Sequence, residues 1–296
     1  GAATTHRTHY PLLTAPPMKT ILVPTDFSAN AEHAIRYAVI FAKPFGAKVV
    51  LFHSYLLPVY ATDLPLPVAT DEALRLASQE SLEKLATRMR SEFPGVNFET
   101  RLEAGYAEEA IRAAVEAMKA DMVIMGTRGA SGIREALIGT ITASMLEVLD
   151  VPLIAVPAES PVKAPSRIVF ATNYSEGDFQ HVLDVIEIAK GVKARVSLLH
   201  VSSGELEKEY EYEAIERFKE RLKEDSHFAN IDFNLLENKD VYEGLSEFLI
   251  SSGADFVATS MRRRSFLQKL FTRSITKEMA YHTHIPLLAF KVGDKR

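Results

Sequence analysis

The sequence repeats itself, and that repetition limits the possible architectures more than any local pattern does. KTILVPTDFS at 19–28 returns as SRIVFATNYS at 166–175, and KVVLFHS at 48–54 returns as RVSLLHV at 195–201. DMVIMGTRG at 121–129 returns as DFVATSMRR at 255–263, and VPLIAVP at 151–157 returns as IPLLAFK at 285–291. Gly126 and Pro152 are 26 residues apart, as are Ser260 and Pro286, so this region aligns without a gap. Two copies of one sequence pattern must build two copies of one structural unit. Their boundary falls in AESPVKAPS, 158–166, a Pro- and Ser-containing stretch that reads as a linker. The expected units are therefore 18–158 and 163–296, with residues 1–17 a leader- or tag-like tail outside both and a natural start expected near Met18.

Inside each copy, TILV, KVVLF, DMVIM and PLIAV are apolar throughout, which fits strands covered on both faces. Between them, SANAEHAIRYAVIFAKPF, TDEALRLASQESLEKLATRMRSEF, AEEAIRAAVEAMKA and TASMLEVL place apolar residues at spacings of three and four, with charges opposite, as amphipathic helices do. GELEKEYEYEAIERFKERLKEDS is the long amphipathic helix of the second copy. Strands alternating with helices predict α/β architecture: two doubly wound parallel-sheet domains in tandem, with ligands beyond the carboxyl ends of the strands.

Composition removes several classes of function. With 34 Lys plus Arg against 39 Asp plus Glu, the formal charge is −5, so no general attraction to nucleic acid or an anionic membrane is expected. No cysteine is present, which excludes disulfides and thiolate metal sites and is compatible with a reducing cytoplasm, the expected location. No apolar run approaches the ~20 residues of a membrane-spanning helix. His6 and His9 on the Pro- and Thr-rich tail read as solvated, and His282 and His284 in YHTHIP have i, i+2 spacing, which points extended side chains to opposite sides and makes a weak metal pair.

The first copy carries the chemistry. GTRGASGIREALIGT, 126–140, lies between an apolar strand and a helical pattern, and its glycines follow G-x2-G-x9-G-[ST] at Gly126, Gly129, Gly139 and Thr140. Together with VPTDFS after the first strand, this pattern resembles the ATP-binding branch of the universal stress protein family, over 18–158 and, more weakly, 163–296. The resemblance implies a Rossmann-like, adenine nucleotide alpha hydrolase-like fold and a site for ATP, alone or with Mg²⁺. It also implies contacts at Pro24, Thr25, Ser54, Met125, Arg128, Ile141 and Thr142. A pairing of two such domains, here as an internal pseudo-dimer, follows from the same resemblance, with PLIAVP and PLLAF near the contact and further self-association open.

Physical chemistry is consistent with that implication. Gly126 and Gly129 would leave no Cβ in the way of a ligand. Gly139 and Thr140 open a helix whose first amides lack internal partners and suit phosphate oxygens. An ionised Asp26 can accept from an adenine amino group and would repel the guanine carbonyl, which predicts adenine selectivity. Taken singly, a glycine here reads as a turn residue and Asp26 as satisfying local amides, but the second copy closes the same turn in SMRRRSFLQKLFTRS, 260–274, with no glycine, so room for a ligand is the better reading of the set. The loop has no Lys as in G-x4-G-K-[ST] and no recognisable nucleophile arrangement, so binding with little or slow hydrolysis is expected. A nucleotide-hydrolysing or nucleotidyl-transfer enzyme and a nucleotide-free interaction scaffold are the alternatives.

In the second copy Ser260, Arg263, Arg273 and Ser274 stand where Gly126, Gly129, Gly139 and Thr140 stood, and Asn173 replaces Asp26. That copy is expected not to hold ATP in the same manner. Arg262, Arg263, Arg264, Lys269 and Arg273 form a basic cluster in its place, read either as a solvated face or as an anion or partner site. LLPVYATDLPLPVATD, 56–71, has no counterpart in the second copy and reads as a cover, a partner contact or an exposed connection.

Overall fold

A computed structural model describes residues 18–56, 71–128, 139–204, 208–261 and 284–291. In the first half, β1 (Thr20–Pro24), β2 (Lys48–Tyr55), β3 (Phe98–Ala104), β4 (Met122–Gly126) and β5 (Leu153–Val156) alternate with α1 (Ala29–Phe45), α2 (Asp71–Glu92), α3 (Ala107–Met118) and α4 (Thr140–Val148). The second half runs β6 (Arg167–Ala171), α5 (Glu176–Val192), β7 (Arg195–Ser202), α6 (Lys208–Asp225), β8 (Ile231–Glu237), α7 (Val241–Ser252), β9 (Phe256–Met261) and β10 (Leu287–Lys291).

The described strands form one ten-stranded sheet in the order β3-β2-β1-β4-β5-β10-β9-β6-β7-β8. Every pairing is parallel except β5 with β10, where Ile154 lies opposite Leu288. The sheet is thus two five-stranded parallel groups joined edge to edge, each with the same strand succession. Pairing the two outer strands hides edges that would otherwise present unpaired amides and carbonyls.

Apolar strands fit this arrangement because helices cover both faces. Alternation along β1 sends Ile21 and Val23 into one core, with α1, α2, α5 and α6, and Leu22 into the other, with α3, α4 and α7. Both cores draw residues from both halves. On the first face, Phe41 of α1 lies 5.9 Å from Phe256 of β9, ring centre to ring centre. On the same side, a Cβ at Gly191 of α5 would meet the Phe45 ring at 2.4 Å, so the glycine lets the ring of α1 approach.

Turn chemistry repeats with the sheet. After β1, Thr25 Oγ1 accepts the Phe27 amide at 3.0 Å, and Phe27 adopts a left-handed φ of 62°. After β6, Thr172 Oγ1 accepts the Tyr174 amide at 2.8 Å, and Tyr174 has φ 54°. Strand starts repeat too. The Asp121 carboxylate accepts the Lys19 and Thr20 amides at 2.7 and 2.9 Å, while that of Asp255 accepts the Ser166 and Arg167 amides at 2.9 and 3.0 Å. Among the described residues, no helix is long and apolar enough to cross a membrane.

Candidate functional site

In the first half the sheet order places β1 beside β4, with the chain leaving β1 toward β2 on one side and β4 continuing to β5 on the other. Such a switch point opens a crevice at the carboxyl ends of the two strands. A cavity of about 210 Å³ lies there. This is below the ~300–1,000 Å³ usual for a whole small-molecule site.

The crevice is lined by Pro24 at the end of β1, Thr25 and Asp26 just after it, Ser54 on β2, Met125, Gly126 and Arg128 at the end of β4, and Gly139, Thr140, Ile141 and Thr142 at the start of α4. These are eleven of the twelve residues singled out from the sequence. The twelfth, Gly129, lies outside the described residues, as do Arg262–Arg264, Lys269, Arg273, Ser274, His282, the tail 1–17 and 57–70 of the Pro-rich insertion.

Each wall has a local cause. Gly139 caps α4 with φ −71° and ψ 156° and offers no side-chain hydrogen bond to the helix. The first amides of α4 therefore have no capping oxygen from Gly139, and Thr140, Ile141 and Thr142 line the cavity. The Gly139 amide itself donates to the Thr127 carbonyl, which holds the helix start against the end of β4. Thr142 Oγ1 donates to the Gly126 carbonyl at 2.8 Å, so its hydroxyl fastens α4 to β4 and leaves its main chain to face a ligand.

Asp26 serves the turn as well as the cavity: its carboxylate accepts the Ser28 amide at 3.0 Å, starting α1. An ionised carboxylate has about four acceptor positions, so the turn bond and a bond to a ligand are compatible.

Gly126 has a packing cause that its sequence context does not reveal. A Cβ there would sit 2.6 Å from Asn30 Nδ2 and 2.8 Å from Asn30 Cγ, on the α1 side. Close approach of α1 by itself requires a glycine here, at a position that also lines the crevice. Asn30 is buried, and its Nδ2 donates to the Arg128 carbonyl at 2.7 Å, so it fixes the turn that carries Arg128.

Five lining residues escaped the sequence reading: Ala31, Phe52, His53, Ala107 and Ile111. His53 could have been found, because the repeat alignment places His200 opposite it. Its Nδ1 lies 2.7 Å from the Thr25 carbonyl. A carbonyl only accepts, so Nδ1 carries the hydrogen, and the ring braces β1 against β2. His200 repeats the contact with the Thr172 carbonyl at 3.0 Å.

The corresponding region of the second half is filled differently. Asp178, aligned with Ala31, is buried and accepts from Thr172 Oγ1 at 2.9 Å. Glu211 of α6, also buried, accepts from Ser202 Oγ at 2.9 Å, and His200 Nε2 lies 3.4 Å away. Two carboxylates at the ends of β6 and β7 make this a poor environment for phosphate. Asn173 repeats the turn of Asp26, its Oδ1 accepting the Ser175 amide at 3.3 Å. Ser260, in place of Gly126, bonds His181 Nδ1 at 2.8 Å, and Gly177 stands where Asn30 would collide with it. Among the described residues, no group of three or more His, Cys, Asp or Glu side chains could hold a metal ion.

The profile of the universal stress protein family matches residues 17–157. A universal stress protein of Methanocaldococcus jannaschii is 30% identical over 142 residues, covering 47% of this chain and 81% of that protein. A second from the same organism is 26% identical over 153 residues, covering 47% of this chain and 94% of its own. Among solved structures, a universal stress protein from Archaeoglobus fulgidus superposes with a TM-score of 0.69 at 17% identity, covering 94% of this chain and 98% of that one.

Proposed function

This chain belongs to the universal stress protein family, and from that premise we propose that it is a stress-response protein that binds ATP through its first half. The carrying observation is the convergence of Asp26, Gly126, Arg128 and the uncapped start of α4 on one crevice. In this reading the base meets the Asp26 end, and the phosphates meet the α4 amides and Arg128, with Mg²⁺ bound alongside the phosphates or absent. Backbone amides at a helix start and an Arg side chain both suit phosphate oxygens.

Turnover is slow or absent. Of the described lining residues only Asp26, His53 and Arg128 carry acid–base or cationic groups, and each is engaged: with the Ser28 amide, the Thr25 carbonyl and Glu159. The described lining holds no lysine of the kind that phosphate-transfer loops place on the β- and γ-phosphates.

The two units, 18–158 and 163–296, are two domains of this family in one chain, and the second is the structural partner of the first. Support comes from the shared strand succession, the repeated Thr–Phe/Tyr turns and the β5–β10 junction. Mass spectrometry of nucleotide released from the purified chain, with titration calorimetry using ATP with and without Mg²⁺, tests the reading. Binding of one ATP per chain is expected. Absence of binding at millimolar nucleotide sinks it.

A further inference from the structure

We propose that Glu159, which lies in the connection between the two halves, is a built-in competitor for Arg128 and so sets how strongly the site prefers a polyphosphate to a monophosphate. The inference rests on the nucleotide reading above and concerns the same crevice.

Arg128 is the one Lys or Arg side chain among the described lining residues. Its carbonyl is clamped by Asn30 Nδ2 at 2.7 Å, so the turn that carries it is fixed. Among the described residues its guanidinium end makes one contact, from an Nη atom to Glu159 Oε1 at 3.1 Å, and its Nε is buried without a hydrogen-bond partner there. The fork geometry of a guanidinium is thus used on one arm.

Glu159 is placed by covalent neighbours rather than by Arg128. Val156 ends β5 opposite Gly126 and accepts the Thr127 amide at 3.0 Å, which brings the chain leaving β5 alongside the turn leaving β4. A tight turn follows, in which the Ser160 amide donates to the Pro157 carbonyl at 3.1 Å. Ser160 is buried, its Oγ donating to the Pro157 carbonyl at 2.7 Å and lying 3.1 Å from His33 Nε2 of α1. Glu159 is therefore presented to Arg128 from a fixed turn, with its own side chain 46% exposed.

A half-exposed ion pair with one contact is weak. A terminal phosphate offers more charge and several oxygens to the same fork, so it displaces the carboxylate. A nucleotide that does not reach Arg128 has no need to displace it. Glu159 consequently weakens di- and triphosphates while leaving a monophosphate unaffected.

Titration calorimetry of the full chain with AMP, ADP and ATP tests this, on wild type, Glu159→Gln, Arg128→Gln and the double variant. Glu159→Gln is expected to bind ATP about two- to fivefold tighter, the range set by the worth of an exposed pair, with AMP unchanged. Arg128→Gln is expected to weaken ATP and to erase the effect of Glu159→Gln. Equal changes for AMP and ATP, or a Glu159→Gln gain that persists without Arg128, overturn the proposal. Normal ATP binding with an unaltered ATP-to-AMP ratio in Glu159→Gln overturns it alone, whereas no binding of any nucleotide by wild type overturns the nucleotide reading with it.

Discussion

A methyl group on Gly126 would lie 2.6 Å from the side-chain nitrogen of Asn30, inside any tolerable contact. Gly126→Ala is therefore expected to destabilise the chain by about 1–3 kcal/mol, as overpacking does. The second half shows how the clash is avoided, with Ser260 and Gly177 at the two aligned positions. Gly126→Ser combined with Asn30→Gly should be less destabilised in urea unfolding than the sum of the two single changes. Simple additivity would contradict the steric account.

Asp26→Asn separates the two duties of Asp26. Asn173 makes the same turn with an amide oxygen, so the variant is expected to unfold within ~0.5 kcal/mol of wild type. Losing a charged acceptor should weaken ATP by about tenfold or more and bring GTP closer to ATP in competition titrations. Unchanged ATP-to-GTP preference would remove Asp26 from base recognition.

Asp255 links stability to pH. Burial raises its carboxyl pKa, but bonds from the Arg167 amide, the Ser166 hydroxyl and amide, and Lys163 outweigh that and hold it below its ordinary value of 3.8. A lowered folded-state pKa means that the carboxylate's stabilisation is present above that ordinary value and is lost as pH falls below it, through the folded pKa. Asp255→Asn should cost about 1.5–3 kcal/mol at neutral pH and progressively less in acid below ~4. Parallel pH profiles for the variant and wild type would exclude the role.

Phe41→Ala probes whether the halves stand or fall together. Phe41 is fully buried and its ring approaches that of Phe256 across the junction. A cost of about 3–5 kcal/mol is expected. In a calorimetric scan it should lower a single transition that includes both halves, because both cores run through the junction. Two transitions, only one of them shifted, would show independent domains.

The crevice was unusually legible because its makers are local. Gly139 and Thr140 start a helix, Asp26 follows a strand, and both facts lie in short runs of sequence whose spacing survives folding. Ala31, Phe52, Ala107 and Ile111 escaped notice because ordinary core residues acquire a site role through position alone. His53 carries a signal in the repeat, where His200 stands opposite it. Glu159 gave none, since its meaning depends on β5 lying beside β4.

By itself the sequence determined the succession of strands and helices, the repeated motifs and which residue types follow β1 and β4. Apolar periodicity and turn residues act over a few neighbours, so one dimension records them. Only the tertiary structure decided that β5 and β10 pair antiparallel into one sheet, that Gly126 answers to Asn30, and that Asp178 and Glu211 fill the second half. Each depends on contact between segments far apart in the chain, where distance in space rather than order in sequence sets the energy.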